Sequence, residues 1–198
     1  MARNDIIPFG PYTWQVLAVE DGQRALLITQ DIVELRWYHD KFEPITWADC
    51  TLRHYLNDAL YSTFSPDQQA CIIAATNKNA NNPWFNTPGG QDTIDHLFLL
   101  SLDEVSHYLG DSRANLAYKG PQRWHIDDAN NSKRQARYGT DFHGWRLRAP
   151  GYYGRTSASI SKQGHIYVRG NGVFGSPRDG GGVRPALWLR LEDSFLLG

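Results

Sequence analysis

Eleven of the 18 glycines fall between Gly139 and Gly182, and the residues among them alternate with a period of two. That pairing restricts the last third of the chain to short strands joined by tight turns and bulges. Glycine supplies the positive φ and the close backbone approach that such joints need. Ser157-Ala-Ser-Ile-Ser161 alternates small with polar residues, and His165-Ile-Tyr-Val-Arg169 alternates polar with β-branched ones. The stretch is bounded by Trp145-Arg-Leu-Arg-Ala-Pro-Gly151 and Gly180-Gly-Gly-Val-Arg-Pro-Ala-Leu-Trp-Leu189. Rigid ends around side chains of every chemical type fit a surface held out for contact better than a cavity performing chemistry.

Upstream the pattern is mixed. Asp21-Gly22 suits a tight hairpin turn between two apolar runs, so residues 12–29 read as a hairpin, followed by a short β-rich piece at 32–37. Thr46 is placed to cap a helix, with Asp49 at its positive end and Leu52, Tyr55, Leu56 and Leu60 as its apolar stripe. Ser65-Pro66 opens a second helix, with serine as cap and proline at the first helical position. Residues 77–92, rich in Asn, Pro and Gly, are loop, and 97–100 reads as a buried strand. Ser101-Leu-Asp-Glu104 is a capping box for a short helix that Gly110 ends. Residues 111–141 are polar and weakly patterned, a long loop with one helical turn near 127–137. Residues 183–191 close the chain as an apolar strand. With no repeat and no linker, residues 1–198 form one domain of α+β class, helices early and antiparallel strands late.

Charge divides the chain. Residues 142–190 hold eight Lys/Arg against one acid, a net of +7, whereas residues 1–141 carry −6. The basic third can attract polyanions, or Arg146, Arg148 and Arg184 can pair inside with N-terminal carboxylates. The seven tryptophans and ten tyrosines serve both cores and binding surfaces. The start has no apolar stretch of signal-peptide type, and no run of 18 apolar residues occurs, so no membrane insertion is expected. The expected location is cytoplasmic, or export without a signal of its own, for example within a virion. Cys50 and Cys71 lack metal-site spacing and read as reduced, small hydrophobes in helices.

Catalytic patterns are sparse. The seven histidines are dispersed, with no His-x-His or His-Glu-x-x-His, and no metal or cofactor is expected. His125 with Asp127 and Asp128 comes nearest to a ligand cluster, and a solvated loop is the simpler account. Gly170-Asn-Gly-Val-Phe-Gly175 matches a dinucleotide fingerprint in letters but sits in strand-rich surroundings with no helix after it. Asp92 and Asp95 read as turn caps rather than calcium ligands.

The order Trp14-Gln-Val-Leu, Thr46-Trp-x-Asp-Cys-Thr-Leu-Arg53, Asn82-Pro-Trp84 with Thr87-Pro-Gly-Gly90, Leu97-Phe-Leu-Leu-Ser101, Trp145-x-Leu-Arg-x-Pro-Gly151 and Gly-Gly-Val-Arg-Pro-Ala-Leu-Trp-Leu189 resembles a family of uncharacterised bacterial and phage domains over about residues 6–192. These are similar in plan to the C-type-lectin-like fold shared with formylglycine-generating enzymes. Some resemble the variable proteins of diversity-generating retroelements, in which a reverse transcriptase rewrites the 3′ end of the gene at adenines. The resemblance implies a framework of Trp145, Leu147, Arg148, Pro150, Gly151, Ala158, Ile160, Gly164, Ile166, Gly170, Val173 and 182–189. It makes 145–191 the variable region and implies a displayed, ligand-binding set: Tyr152, Tyr153, Arg155, Ser157, Ser159, Ser161, Gln163, His165, Tyr167, Arg169, Asn171, Phe174, Ser176 and Arg178. Tyr, Ser, Asn and Arg are also what recognition loops use on physical grounds. In period-two strands the set projects on one face with Ala158, Ile160 and Ile166 turned inward. Val168 falls where a displayed residue is expected. The cysteine positions disfavour oxidase chemistry, and the Glu-Pro-Asn or Gln-Pro-Asp triplets of calcium-dependent sugar binding are absent.

The expectation is therefore a non-enzymatic recognition protein that binds a protein or glycan on another cell or particle. Two alternatives come from other classes. One is nucleic-acid or polyanion binding through the basic third. The other is a pocket hydrolase or oxidase with His143 or His165 as base. Trp and Tyr outside the displayed set can also line a subunit contact.

Overall fold

The computed structural model describes residues 1–174 and 181–191. The first strands are β1 (Ile6–Phe9), β2 (Tyr12–Glu20), β3 (Arg24–Thr29) and β4 (Glu34–Leu35). Helices α1 (Thr51–Tyr55) and α2 (Pro66–Cys71) follow, then the short strands β5 (Ile72–Ile73), β6 (Ala75–Asn77) and β7 (Thr93–Asp95). Next come α3 (Leu102–Tyr108), α4 (Arg113–Ala117) and α5 (Asn131–Arg134), and the ribbon β8 (Ala136–Tyr138) with β9 (Asp141–His143). The late strands are β10 (Trp145–Pro150), β11 (Thr156–Ile160), β12 (Ile166–Gly172), β13 (Gly182–Val183) and β14 (Ala186–Arg190).

Two five-stranded sheets organise the molecule, in the orders β1-β2-β3-β14-β5 and β12-β11-β10-β13-β4. The class is thus α+β, with mainly antiparallel sheets and a few short helices. One pair departs from the expected antiparallel order: β10 and β13 run parallel, with Trp145 opposite Gly182. The hairpin β2–β3 turns at Asp21 and Gly22, both at positive φ. The expected capping box forms at Ser101 with Glu104, and the Ser65 cap is completed as a second box by Gln68.

Four local expectations need correction. Thr46 does not cap a helix: its hydroxyl lies 3.3 Å from Asp49 Oδ2, and a single 3-10 turn precedes α1. Cys50 caps α1 instead, its sulfur accepting from the Arg53 amide. Residues 97–100 are fully buried yet form no strand beyond the bridge Phe98–Ala186, because the side chains of Asn57 and Arg148 take up the backbone groups of Leu97 and Leu99 in place of a ladder. The polar stretch 111–141 holds, besides the expected helical turn at α5, the helix α4 and the ribbon β8–β9, each too short for sequence patterning to detect. Residues 183–191 are not one strand: the chain leaves the second sheet at Val183, turns through Arg184-Pro185 and enters the first at Ala186.

Trp14, Trp47 and Trp145 are fully buried, and each satisfies its indole N–H, on Phe9 O (2.8 Å), Asp95 Oδ2 (3.1 Å) and Arg134 O (2.9 Å). Asp95 is a buried hub that also accepts from Arg53 Nε, Asn77 Nδ2 and Thr93 Oγ1, so its role is structural. Asp92 accepts from the Asn79 amide and closes the loop.

The buried arginines decide the charge question. Arg148 reaches a carboxylate, Glu104, whereas Arg146 and Arg184 are held by oxygens without charge. Arg184 Nε donates to Thr29 O at 2.7 Å and Nη2 to Gln30 O at 3.1 Å, while its guanidinium lies 5.1 Å from the Trp145 ring centroid. Burial pushes the Arg146 and Arg184 guanidinium groups down to about 10. Arg134 is likewise interior, donating to Gly164 O, Ser112 Oγ, Asn131 Oδ1 and Asp128 Oδ1. Burial raises the Asp128 carboxyl, but hydrogen bonds from Ser112 and Arg134 outweigh it and hold the group at about 2.

Removing the Arg184 guanidinium orphans the buried Thr29 carbonyl, frees that of Gln30 and opens a cavity. We therefore expect Arg184→Ala to lose about 3 kcal/mol or more of stability in urea unfolding. Asp128 is depressed below its unfolded value of about 3.9, so its contribution is present above that value and fades as pH falls toward 2. The gap in denaturation midpoint between wild type and Asp128→Asn should be wide at neutral pH and narrow between about pH 4 and 2.

Candidate ligand-binding face

Backbone contacts set the frame of the late strands. The β11–β12 pairing shifts register between Ser157 and Ser159, so residues 168–170 lie opposite Ala158 alone. Gly170, at φ +74, makes this bulge feasible, since a Cβ there would sit 2.2 Å from Ser157 O. Gly164, at φ +87, packs its α-carbon against the Asn131 carbonyl at the start of α5. Because two extra residues fit into the bulge, alternation along β12 survives it. Ile166, Val168 and Gly170 point inward, and Tyr167, Arg169 and Asn171 point outward. Val168 is thereby a core residue in phase with Ile166, which removes the apparent mismatch.

The displayed set separates by position. Tyr152, Tyr153, Gln163, Arg169 and Phe174 are exposed, and Arg155, Ser161, His165, Tyr167 and Asn171 are half-buried. Ser157 and Ser159 share the face of Asn171 and Tyr167, their cross-strand partners, but are each only 1 % exposed and so are covered rather than displayed. Both lie on β11, between β10 and β12, where Ser157 Oγ accepts from Arg146 Nη1 and Ser159 Oγ from Asn171 Nδ2, each at 3.0 Å. Ser176 and Arg178 lie outside the described residues.

Around the exposed members the fold gathers aromatic residues from distant segments. Tyr152 meets Phe85 edge-on at 4.9 Å, Trp124 at 6.5 Å and Tyr153 at 5.8 Å, while Phe85 stacks on Trp124 at 6.2 Å. Cations lie over these rings: Arg169 is 4.7 Å from Trp124 and Lys119 is 4.2 Å from Phe85. Arg155 extends the patch to Phe42 at 4.7 Å. Trp37 and Phe174 form a second exposed pair at 4.6 Å. A shallow depression lies beside β12, lined by Tyr167, Asn171, Gln163, Ser161, Phe142 and His143 among others.

Buried polar side chains fix this arrangement. Asn82 Nδ2 donates to Pro150 O (2.8 Å) and Val168 O (3.0 Å), while its Oδ1 accepts from the Trp84 and Phe85 amides. The Asn82-Pro-Trp84 motif thus ties the 78–92 loop to β10 and β12 and presents Phe85. Tyr152 is held by its amide on Arg169 O (2.7 Å) and by Thr87 Oγ1 on its carbonyl (2.9 Å). Phe85, Trp124, Lys119 and Phe42 were not legible as site residues in the sequence. For Phe85 and Trp124 the one signal is an aromatic side chain stranded in a polar stretch.

Chemistry-bearing groups are otherwise engaged. Burial pushes the Cys50 thiol up to about 12, and both cysteines are free. Ser161 Oγ accepts from the amides of Gln163 and His165 and acts as a turn cap. His143 Nδ1 contacts Gly144 O at 2.7 Å. A cavity of about 500 Å3 is bordered by Lys78, Ser101, Glu104, Leu116 and Arg148. In it Glu104 is committed to Arg148 and to the Ser101 amide. Of the expected cluster, Asp128 turns away to Arg134, and His165 takes its place beside His125 and Asp127. Among the described residues no helix is long and apolar enough to cross a membrane.

The family described as Domain of unknown function (DUF6273) matches residues 22–191, and the chain belongs to that family. No curated protein and no solved structure matches the chain significantly.

Burial separates positions that tolerate exchange from those that do not. Tyr153→Ser and Arg169→Ser should shift unfolding free energy by less than about 1 kcal/mol. Ser159→Tyr, which puts a ring where a covered hydroxyl sits and strips Asn171 of its acceptor, should cost about 2 kcal/mol. Equal urea midpoints for all three would place Ser159 at the surface.

Proposed function

We propose that this domain is a non-enzymatic recognition module of C-type-lectin-like plan, akin to the variable proteins of diversity-generating retroelements, that binds a protein or glycan. One observation carries the reading: Phe85, Trp124, Tyr152 and Tyr153 meet in a solvent-facing cluster overlaid by Lys119 and Arg169. Tyr152 and Tyr153 remain 47 % and 43 % exposed, and Trp124 40 %. Large rings held on a firm backbone bury much area at little cost in side-chain entropy, and arginine over a ring adds a directional charge. The exchangeable positions then reduce to Tyr152, Tyr153, Arg155, Ser161, Gln163, His165, Tyr167, Arg169, Asn171 and Phe174 among the described residues. The mix of antiparallel sheets and short helices is compatible with the plan that the signature segments imply.

Polyanion binding has less support, because Arg146, Arg148 and Arg184 are buried and leave the solvent-facing surface correspondingly less basic.

The genomic test is direct. A near-copy of the coding stretch for residues 145–191, differing at adenines and adjoining a reverse transcriptase, is expected next to the gene. For any ligand captured by the wild type, Tyr153→Ala should weaken binding roughly thirtyfold, as loss of a hot spot of about 2 kcal/mol would. Melting should stay within a few degrees. Affinity that collapses with added salt and ignores Tyr153 would favour the polyanion alternative.

A further inference from the structure

Ile126 and Ile166 form an isolated antiparallel bridge closed by two backbone hydrogen bonds of 2.8 and 3.0 Å, and both side chains are fully buried. Strand alternation sends residues 125 and 127 of one segment, and 165 and 167 of the other, to the opposite side. In that register Asp127 stands directly across from His165, and His125 lies on the diagonal. The ligand atoms of His125, Asp127 and His165 fall within 4.8 Å of one another. Asp127 Oδ1 and His165 Nε2 are 3.5 Å apart, near the edge of roughly 3.3 Å that a tetrahedron with metal–ligand bonds of about 2.0 Å requires. Asn131 Nδ2 donates to the same Oδ1 at 2.6 Å. Such an outer partner orients a ligating carboxylate.

We propose that His125, Asp127 and His165 form a surface site for a divalent transition-metal ion of the zinc class. Two imidazole nitrogens and one carboxylate oxygen are donors that zinc accepts, whereas calcium and magnesium call for oxygen alone. Three protein ligands leave a coordination position open to solvent. The imidazole planes lie 10° from parallel with centroids 5.1 Å apart, so closing on one ion turns a ring about its Cβ–Cγ bond, a torsion with broad wells. The backbone needs no change, because the Ile126–Ile166 bridge and the Arg169 amide on Trp124 O (3.0 Å) already hold the two segments side by side. The site adjoins the proposed recognition face, since His165 is one of its exchangeable positions and Trp124 of the aromatic cluster precedes His125, but its zinc binding is read without any ligand of that face.

Calorimetric titration of the chelator-stripped full chain with zinc chloride at neutral pH tests this. One ion per chain is expected, with affinity falling at least tenfold in His125→Ala and in His165→Ala. His54→Ala, remote in sequence and outside the triad, should bind as the wild type does. Zinc should also raise the melting temperature of the wild type and leave that of both triad variants unchanged, with the metal-free melting of all four proteins alike. Absence of saturable binding at millimolar zinc, or binding that persists in both triad variants, overturns the proposal.

Discussion

The passage of the chain from one sheet to the other at Arg184-Pro185 is the joint on which the architecture turns. Residues 182–183 pair with β10 and β4, and residues 186–190 pair with β3 and β5, so one short segment belongs to both layers. A chain that changes sheets must interrupt its ladder and leave backbone groups facing the gap. Proline suits the break because it has no N–H to satisfy. The Arg184 guanidinium fills the gap, bonding the carbonyls of Thr29 and Gln30 at the end of β3 while lying against Trp145 of β10. A buried cation without a carboxylate partner is costly in isolation, and carbonyl dipoles with an aromatic face recover part of that cost. The distinctive nonapeptide that ends in Trp188-Leu189 is therefore a structural device.

The same joint explains why the outer face can carry unlike side chains. Once β10 and β13 are locked, β11 and β12 follow by antiparallel pairing, with the bulge at residues 168–170 held by Gly170. The strength of this frame resides in backbone contacts and inward residues such as Ala158, Ile160, Ile166 and Val168. Outward residues on β12 and in the 151–155 turn contribute little to it. Stability and display are carried by different atoms, which is what a recognition surface requires.

Much of the fold was legible at short range. The Asp21-Gly22 turn, the helix cap at Ser65, the capping box at Ser101 and the inward phase of Ile166 each depend on residues within a few positions of one another. The errors came where neighbours in space decide. Residues 97–100 have the apolar character of a strand, but pairing stops at the single bridge Phe98–Ala186. Ser157 and Ser159 alternate like displayed residues and lie on the same face as Asn171 and Tyr167, yet the longer side chains of Arg146 and Asn171 reach over and take up their hydroxyls. Thr46 has the chemistry of a cap, but Cys50 occupies that place once the helix starts later.

By itself the sequence determined the α+β class, the glycine-jointed strands of the last third and most residues that reach solvent there, because turn chemistry and alternation are local rules. Tertiary structure alone decided which residues share a face. Phe85 and Trp124 join Tyr152 from loops far along the chain, and His165 meets His125 and Asp127 across the Ile126–Ile166 bridge. No spacing in a one-dimensional string encodes such meetings. They follow from register, from Asn82 tying a loop to two strands, and from the exclusion of water beneath them.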